Sequence, residues 1–244
     1  MTERDVQRNQ IQQKTKPPVL DRRLSMVAAL VPEGAVIADI GTDHAYLPCY
    51  LVGRGSCPAA FACDVVPGPL ENAVGTVNKY GLSDAIRCLL SDGTRELPPA
   101  GYDTLVCAGM GGELICDILR STEDLNAKTL VLQPMTHSED LRAFLCKNGF
   151  TISGETAVCD GKRTYIAFSA SFTGDDSRAD DRFYHYFGSH LLTKDAAASR
   201  YIRKQIKHLS DRRRGLEHSE KAEDRAMLAE VCAILNDERL RDYL

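Results

Sequence analysis

The segment AVIADIGTDHAYLP, residues 35–48, has the pattern of a buried strand that turns through a glycine into a helix. The apolar run reaches Asp39 and Ile40, and Gly41 stands in the turn. A glycine there lets a ligand approach the backbone at the carboxyl edge of an open α/β sheet. Asp43 occupies the position of the second glycine of the G-x-G-x-x-G dinucleotide fingerprint, and its carboxylate would repel a pyrophosphate. The segment therefore favours a cationic ligand over a dinucleotide.

The same alternation of apolar strands and helices continues to residue 148. Strand-length runs cover residues 35–40, 59–65, 86–90, 104–108 and 129–132. Helix-length segments cover residues 47–54, 69–80, 113–120 and 138–148, after an initial helix over 20–31. This alternation is typical of a parallel sheet that is covered on both faces. Two strand-like runs, 150–158 and 164–172, flank a predicted hairpin turn, so we predict a Rossmann-like α/β fold of five parallel strands closed by a hairpin.

Two flanking regions differ from this pattern. Residues 1–18 are polar and end in Lys16-Pro17-Pro18, which predicts a flexible segment. After a polar break at 173–177, residues 183–242 carry two apolar helical stripes with a turn near 215–219. We therefore expect a flexible segment over 1–18, a ligand-binding domain over 19–173 and a helical, coiled-coil-like domain over 174–244.

Composition excludes several classes of protein. The 244 residues are 43% hydrophobic, and no apolar run approaches the roughly 20 residues that span a bilayer. The N-terminus has no apolar signal core, which favours a cytoplasmic protein. A net charge of −4 gives no overall attraction to nucleic acid, so RNA binding would need a local basic patch. Nine cysteines without a C-x-x-C pair favour free thiols over a zinc site or a disulfide framework.

Aspartates follow three successive predicted strands: Asp39, Asp64 and Asp92. Because the carboxyl ends of parallel strands meet at the ligand-binding edge, we expect these side chains to converge. Asp39 suits an α-amino group, Asp64 the two ribose hydroxyls, and Asp92 an adenine amine, with Gly93 leaving room for the ring. Taken one at a time, each aspartate could instead have a structural role, as a turn residue or as the cap of a helix. Their joint order predicts S-adenosylmethionine as the cofactor.

Two further segments would form the acceptor side. Ala108-Gly109-Met110-Gly111-Gly112 follows the fourth strand, and its glycines leave space for a planar substrate. Gln133 ends the fifth strand and has the groups to hydrogen-bond a base edge. The alternatives are a loop that only caps the next helix, and a glutamine that only satisfies loop backbone.

With these motifs, the sequence resembles the TrmK family of bacterial tRNA (adenine-N1)-methyltransferases, which methylate position 22 of tRNA. The resemblance covers about residues 20–192. It rests on Arg23-Leu24, residues 38–48, 65–69, 108–112, 132–134 and 160–162, Tyr165, Phe187-Gly188 and Leu191-Leu192. It implies a class I S-adenosylmethionine-dependent methyltransferase domain followed by a coiled-coil-like helical domain. Thr42, Asp64 and Asp92 replace the expected serine, glutamate and asparagine, and all three keep acceptor oxygens.

The hypothesis for the reaction is in-line attack of adenine N1 on the sulfonium methyl group. The methylated ring is cationic, so Asp43 would stabilise the developing charge while Tyr46 helps to place the base. His44 fits a cofactor-loop contact better than a general base. The full set of candidate cofactor contacts is Asp39, Gly41, His44, Leu47, Asp64, Val65, Asp92, Gly93, Ala108 and Gly109. The candidate substrate contacts near the acceptor are Arg23, Met110, Gly111 and Gln133.

A basic stripe over 200–214 is the candidate tRNA surface. It holds seven Lys and Arg residues against Asp211, and we assign substrate contacts to Arg203, Lys204 and Lys207. The alternative is a solvated helix face whose charge is cancelled by the acidic residues of 217–224.

Other functions stay open at this point. One is a methyltransferase that acts on another RNA, a protein or a small molecule. Another, of a different class, is a non-catalytic RNA-binding protein with a vestigial cofactor fold. An NAD-dependent oxidoreductase is disfavoured by the missing phosphate-binding glycines. The sequence predicts no metal site and no membrane association, and it leaves the oligomeric state open.

Overall fold

A computed structural model describes residues 16–219 and 221–244, so most of the predicted flexible segment 1–18 lies outside the described residues. Seven strands form one sheet in the order β3-β2-β1-β4-β5-β7-β6. They are β1 Val36–Ile40, β2 Ala59–Asp64, β3 Ile86–Leu90, β4 Thr104–Gly111, β5 Thr129–Thr136, β6 Phe150–Asp160 and β7 Arg163–Phe172. β1 to β5 are parallel, and β7 is antiparallel to both β5 and β6. The predicted fold of parallel strands closed by a hairpin is confirmed.

The helix before β1 and the helices between the strands lie close to their predicted positions. They are α1 Arg22–Ala28, α2 Tyr46–Gly53, α3 Pro67–Lys79, α4 Gly112–Ser121 and α5 Ser138–Lys147. α3 begins with a proline, which has no backbone N–H. This loses no hydrogen bond, because N–H groups in the first turn of a helix have no partner within the helix. At α1, the Asp21 carboxylate accepts a hydrogen bond of 2.7 Å from the N–H of Leu24.

β4 and β5 both run past their predicted ends, which changes the nature of the acceptor segment. β4 extends to Gly111 and β5 to Thr136, although the sequence predicted ends at residues 108 and 132. Met110 pairs with Pro134 and Gly111 with Thr136, across register shifts on either side of Met110. Glycines tolerate such irregular pairing because they carry no side chain. The segment predicted as a glycine loop is therefore a bulged strand end.

The sheet is buried on both faces. Along β4, Leu105 and Cys107 belong to one apolar cluster and Val106 to the other, as the period of two along a strand requires. Burying each such aliphatic side chain stabilises the fold by about 1.5–3 kcal/mol. All nine cysteines are free thiols, and most of them are buried in these clusters.

Helices follow the hairpin. They are α6 Arg182–Phe187, α7 His190–Thr193, α8 Ala196–Leu216 and α9 Ala222–Leu235, with a final 3-10 turn at Glu238–Tyr243. Asp195 begins α8 by accepting hydrogen bonds of 2.8 Å from two backbone N–H groups. Ile202 and Leu209 of α8 pack in a third apolar cluster with Val231 of α9. We propose that this part is a separate C-terminal domain beginning at residue 174. Among the described residues, no helix is both long and apolar enough to cross a membrane.

Candidate active site

The turn after β1 brings a buried carboxylate to the carboxyl edge of the sheet. One oxygen of Asp39 accepts a hydrogen bond of 2.7 Å from the Thr42 hydroxyl. Gly41 has φ of +72°, a conformation that glycine adopts without strain. Burial raises the pKa of Asp39 to about 7, opposed by the Thr42 bond and by Arg23 and reinforced by Asp64. A cation bound at this edge would favour the ionised form of Asp39.

Asp64 lies at the end of β2, beside the turn after β1. Its Oδ2 accepts a hydrogen bond of 3.3 Å from the N–H of Asp43, and its Oδ1 accepts one of 2.9 Å from the N–H of Val66. The N-cap of α3 is Val66, which makes no side-chain capping bond, so Asp64 fixes the turn before the helix. Each carboxylate oxygen keeps a second lone pair that a ligand hydroxyl can use. The neighbouring Val65 is exposed.

Asp92 follows β3, the outermost of the three strands that lead to the aspartates. Its carboxylate is exposed and forms an ion pair with Arg95. Its backbone N–H donates to the Glu96 carboxylate at 3.1 Å. Gly93 has φ of +65°, and its carbonyl accepts a hydrogen bond of 2.8 Å from the Ser91 hydroxyl. The three aspartates thus follow three adjacent strands at one edge, and a ligand at Asp92 would compete with Arg95.

The rest of the turn after β1 exposes an acid and two rings. Asp43 and Ala45 both have φ of +52°, a backbone conformation that non-glycine residues adopt at a cost. The Asp43 side chain is 67% exposed, and Oδ1 lies 3.7 Å from Nε2 of His44. The His44 and Tyr46 rings stack with centroids 5.4 Å apart. Leu47 is buried in the core, so its side chain supports this turn from below.

The acceptor segment contacts the turn after β1. A Cβ atom placed on Gly41 would lie 3.4 Å from Sδ and Cε of Met110, so the methionine lies against the glycine. Gly112 leaves no room for a side chain, because a Cβ atom there would overlap the carbonyl oxygen of His137. Gly109 has φ of +85°. Ala108 is half-buried beside these residues. The candidate cofactor and acceptor residues are therefore neighbours.

Arg23 and Gln133 form a pair that connects α1 with the end of β5. Nη1 of Arg23 donates to Oε1 of Gln133 at 2.9 Å, although the two residues are 110 positions apart. The same Nη1 lies 3.1 Å from the position of a Cβ atom on Gly109. Gln133 is fully buried, and its Nε2 donates to the Pro134 carbonyl at 3.0 Å. Both ends of the Gln133 amide are therefore engaged within the protein.

The basic stripe on α8 divides into two parts. Arg203 and Lys204 are exposed, and neither forms an ion pair within residues 16–219 and 221–244. Further along, Lys207 lies 3.8 Å from Asp211, and Arg214 pairs with the same carboxylate. The first part of the stripe keeps its charge, and the second is partly neutralised within its own helix.

A buried ion pair that the sequence did not predict joins the sheet to the C-terminal helices. Nε of Arg142 donates to Glu155 at 2.8 Å, with both side chains buried, and Nη1 donates to the Tyr201 hydroxyl at 3.0 Å. Burial would raise the pKa of Glu155, but Arg142, His190 and Ser189 outweigh it and lower this pKa to about 2. The one signal in the sequence is an arginine between two apolar residues, Leu141-Arg142-Ala143.

One exposed group among the described residues has metal-ligating side chains within reach of one another. The ligand atoms of Glu113, His137 and Asp140 all lie within 4.8 Å. Nδ1 of His137 lies 3.2 Å from the Asp140 carboxylate. We interpret this group as a surface ion pair with a neighbouring acid.

Comparisons with known proteins agree with this architecture. The methyltransferase domain family matches residues 20–168. The tRNA (adenine(22)-N(1))-methyltransferase of Bacillus subtilis is 37% identical over 164 residues, which cover 66% of this chain and 68% of that protein. The crystal structure of TrmK, the tRNA methyltransferase of Bacillus subtilis, superposes with a TM-score of 0.80 at 28% identity, covering 92% of this chain and 98% of that one. A putative tRNA methyltransferase of Streptococcus pneumoniae, in complex with S-adenosyl-L-methionine, gives a TM-score of 0.75 at 29% identity, covering 89% of this chain and all of that one.

Proposed function

The chain belongs to the tRNA (adenine(22)-N(1))-methyltransferase family, and we propose that it transfers a methyl group from S-adenosylmethionine to N1 of adenine 22 in tRNA. The observation that carries this proposal is the meeting of two segments at the carboxyl edge of the sheet. Asp39 and Gly41 lie on one segment, and Met110 lies against Gly41 from the other. A cofactor held by the first segment would face an acceptor held by the second.

The residues at this edge fit S-adenosylmethionine. Asp39 is a buried carboxylate that gains from a cationic partner, which suits the α-amino group. Asp64 has lone pairs to accept hydrogen bonds from the ribose hydroxyls. Val65 follows Asp64 in the chain, and Leu90 pairs with Asp64 across the two strands. Both are exposed apolar side chains, and they suit an adenine ring. When bound, the cofactor supplies a methyl group activated by its sulfonium charge.

Asp43 is the residue that we assign to charge stabilisation. Its carboxylate is exposed, while its backbone N–H is held by Asp64, so the acid stands on a fixed turn. A carboxylate near the target ring stabilises the positive charge that N1 methylation creates. The half-exposed Tyr46 ring, backed by His44, offers a face against which the base can stack. Most of the rate enhancement then comes from positioning.

We assign Gln133 a positioning role in place of base reading. Its amide oxygen already accepts from Arg23, and its amide nitrogen already donates to Pro134. It therefore holds the Arg23 guanidinium beside Gly109, where Arg23 can contact the substrate. If this is correct, Gln133→Ala and Arg23→Ala raise the KM for tRNA to a similar extent, and combining them adds little. Additive effects in this double-mutant cycle would exclude the role.

The substrate surface extends from the acceptor segment to α8. Arg203 and Lys204 are exposed cations suited to phosphates, and Lys207 is shared with Asp211. Net charge is −4, so this local surface supplies the attraction. A tRNA substrate implies a cytoplasmic enzyme.

The first experiment measures methyl transfer from labelled S-adenosylmethionine to unmodified tRNA, followed by digestion to nucleosides. We expect 1-methyladenosine, and its loss when adenine 22 is replaced. Cofactor binding with no transfer to any of a panel of tRNAs would contradict the proposal and favour another acceptor.

The role of Asp43 is tested in the same assay. We expect Asp43→Ala to lower kcat on the order of a hundredfold, because one charge-stabilising group is lost. The matched control is Asp117→Ala, which removes another exposed aspartate, on α4, and should leave kcat unchanged. Wild-type turnover by Asp43→Ala would exclude this residue.

A further inference from the structure

A basic groove of about 580 Å³ lies between the β6–β7 turn and α8. Lys162, Arg163 and Tyr165 line one wall, and Arg200 and Lys204 line the other. Pro134 and Met135, at the end of β5, close one side of the groove. Gln133 precedes them directly in the chain, so the groove begins where the acceptor segment ends. Its volume lies within the range of about 300–1,000 Å³ that small-ligand pockets usually have.

The charge of the groove is strongly positive for a protein with net charge −4. Its lining includes four Lys and Arg side chains, and Glu139 is its one carboxylate. The Glu139 carboxylate lies 4.0 Å from Nε2 of His208. Lys162 and Lys204 are exposed and form no ion pair with any described residue. The two lysines are therefore free to bind an anion.

The walls of the groove are fixed by hydrogen bonds. The Arg200 guanidinium donates to the carbonyls of Gly161 at 3.0 Å and Lys162 at 2.6 Å, which ties the β6–β7 turn to α8. At the floor, the Gln205 amide donates to the Tyr201 hydroxyl at 2.7 Å. Because these hydrogen bonds already fix the walls, little conformational entropy is lost when the groove binds a ligand.

We propose that this groove binds a nucleotide of the substrate RNA that flanks the methylated adenosine. Lys162 and Lys204 hold its phosphate from opposite walls, and Tyr165 and Met135 supply apolar surface for its base. Continuity with the acceptor segment favours a neighbouring nucleotide of the same RNA over a free nucleotide. This inference rests on the proposed function, and it adds a substrate subsite to the residues assigned above.

The test is the double variant Lys162→Ala with Lys204→Ala, assayed with an unmodified tRNA transcript. We expect the KM for tRNA to rise on the order of tenfold, while kcat and the Kd for S-adenosylmethionine stay within about twofold. The slope of log K against log salt concentration should become shallower by about 0.7 to 0.9, because the two lysines hold one phosphate and each phosphate contact contributes about that much. An unchanged slope and KM would overturn the proposal.

The matched control is Lys79→Ala with Arg87→Ala, which removes two exposed cations at the β3 side of the sheet, far from β6 and β7 in the strand order. This control should bind tRNA as the wild type does. An equal loss of binding in the control and the groove variant would overturn the proposal, because the effect would then be one of net charge.

Ethylation of individual tRNA phosphates locates the contact. Phosphates next to adenine 22 should block binding to the wild type when ethylated and lose this effect in the groove variant. If the phosphates that lose their effect lie elsewhere in the tRNA, the flanking-nucleotide assignment is wrong. Wild-type protein that fails to methylate adenine 22 would instead refute the proposed function, so the two failures are distinguishable.

Discussion

Cofactor binding should weaken sharply as pH falls from 7.0 to 5.5, because Asp39 becomes protonated. Burial raises the pKa of this carboxyl to about 7 in the free protein. The folded-state pKa lies above the ordinary value for aspartate, so the charged form is lost as pH drops through 7. A neutral carboxyl attracts the α-ammonium group of S-adenosylmethionine much less strongly than a carboxylate does.

The magnitude follows from the fraction of protein with Asp39 ionised. With a pKa of about 7, roughly half of the protein is ionised at pH 7.0 and roughly 3% at pH 5.5. If only the ionised form binds, the apparent Kd rises roughly 16-fold, which is about 1.6 kcal/mol. An α-amino group has a pKa of about 7.7–8.0, so most of the ligand is protonated at pH 7.0 and nearly all of it at pH 5.5.

Isothermal titration calorimetry with S-adenosylmethionine at half-unit pH steps measures this dependence. The matched control is Asp39→Asn, which can still accept the hydrogen bond from Thr42 but cannot ionise. This variant should bind more weakly than the wild type at pH 7.0, with a nearly flat pH dependence. A wild-type Kd that is constant from pH 5.5 to 7.0, or an equal slope in both proteins, would refute the reasoning.

Two stability predictions follow from close contacts. Gly112→Ala should destabilise the fold by about 1–3 kcal/mol in urea denaturation, because the added Cβ atom overlaps the His137 carbonyl. The control is Gly75→Ala, in open space on α3, which should instead stabilise the fold by about 0.5–1 kcal/mol. Equal effects of the two substitutions would exclude the steric cause. Arg142→Ala should cost about 3–5 kcal/mol by leaving the Glu155 charge buried without its partner. Replacing both Arg142 and Glu155 with apolar residues of similar volume should destabilise the fold less, because no unpaired charge is then buried. An equal or greater loss of stability in the double variant would contradict this explanation.

Much of the fold could be predicted because its signals are local. Apolar runs and their spacing predicted the five parallel strands, and the ranges agree closely with the structure for β1 and β3. The parallel direction of the strands also predicted that Asp39, Asp64 and Asp92 lie at one edge of the sheet, and the structure shows that the three strands before them are adjacent. The predicted ends of β4 and β5 were wrong. Glycine and proline in these segments indicate loops, but pairing between the two strands extends both of them.

The sequence by itself determined where most strands and helices lie and the chemistry of the aspartates, because each depends on residues that are near in the chain. The order of the strands in the sheet depends on pairing between distant segments, such as β1 with β4. Only the tertiary structure decided which side chains distant in the chain contact one another. Arg23 reaches Gln133 over 110 positions, and Arg142 is paired with Glu155 in the core. The groove between the β6–β7 turn and α8 likewise exists only when the hairpin lies against the helix. Such pairs depend on packing geometry, and a single sequence carries no local pattern for it.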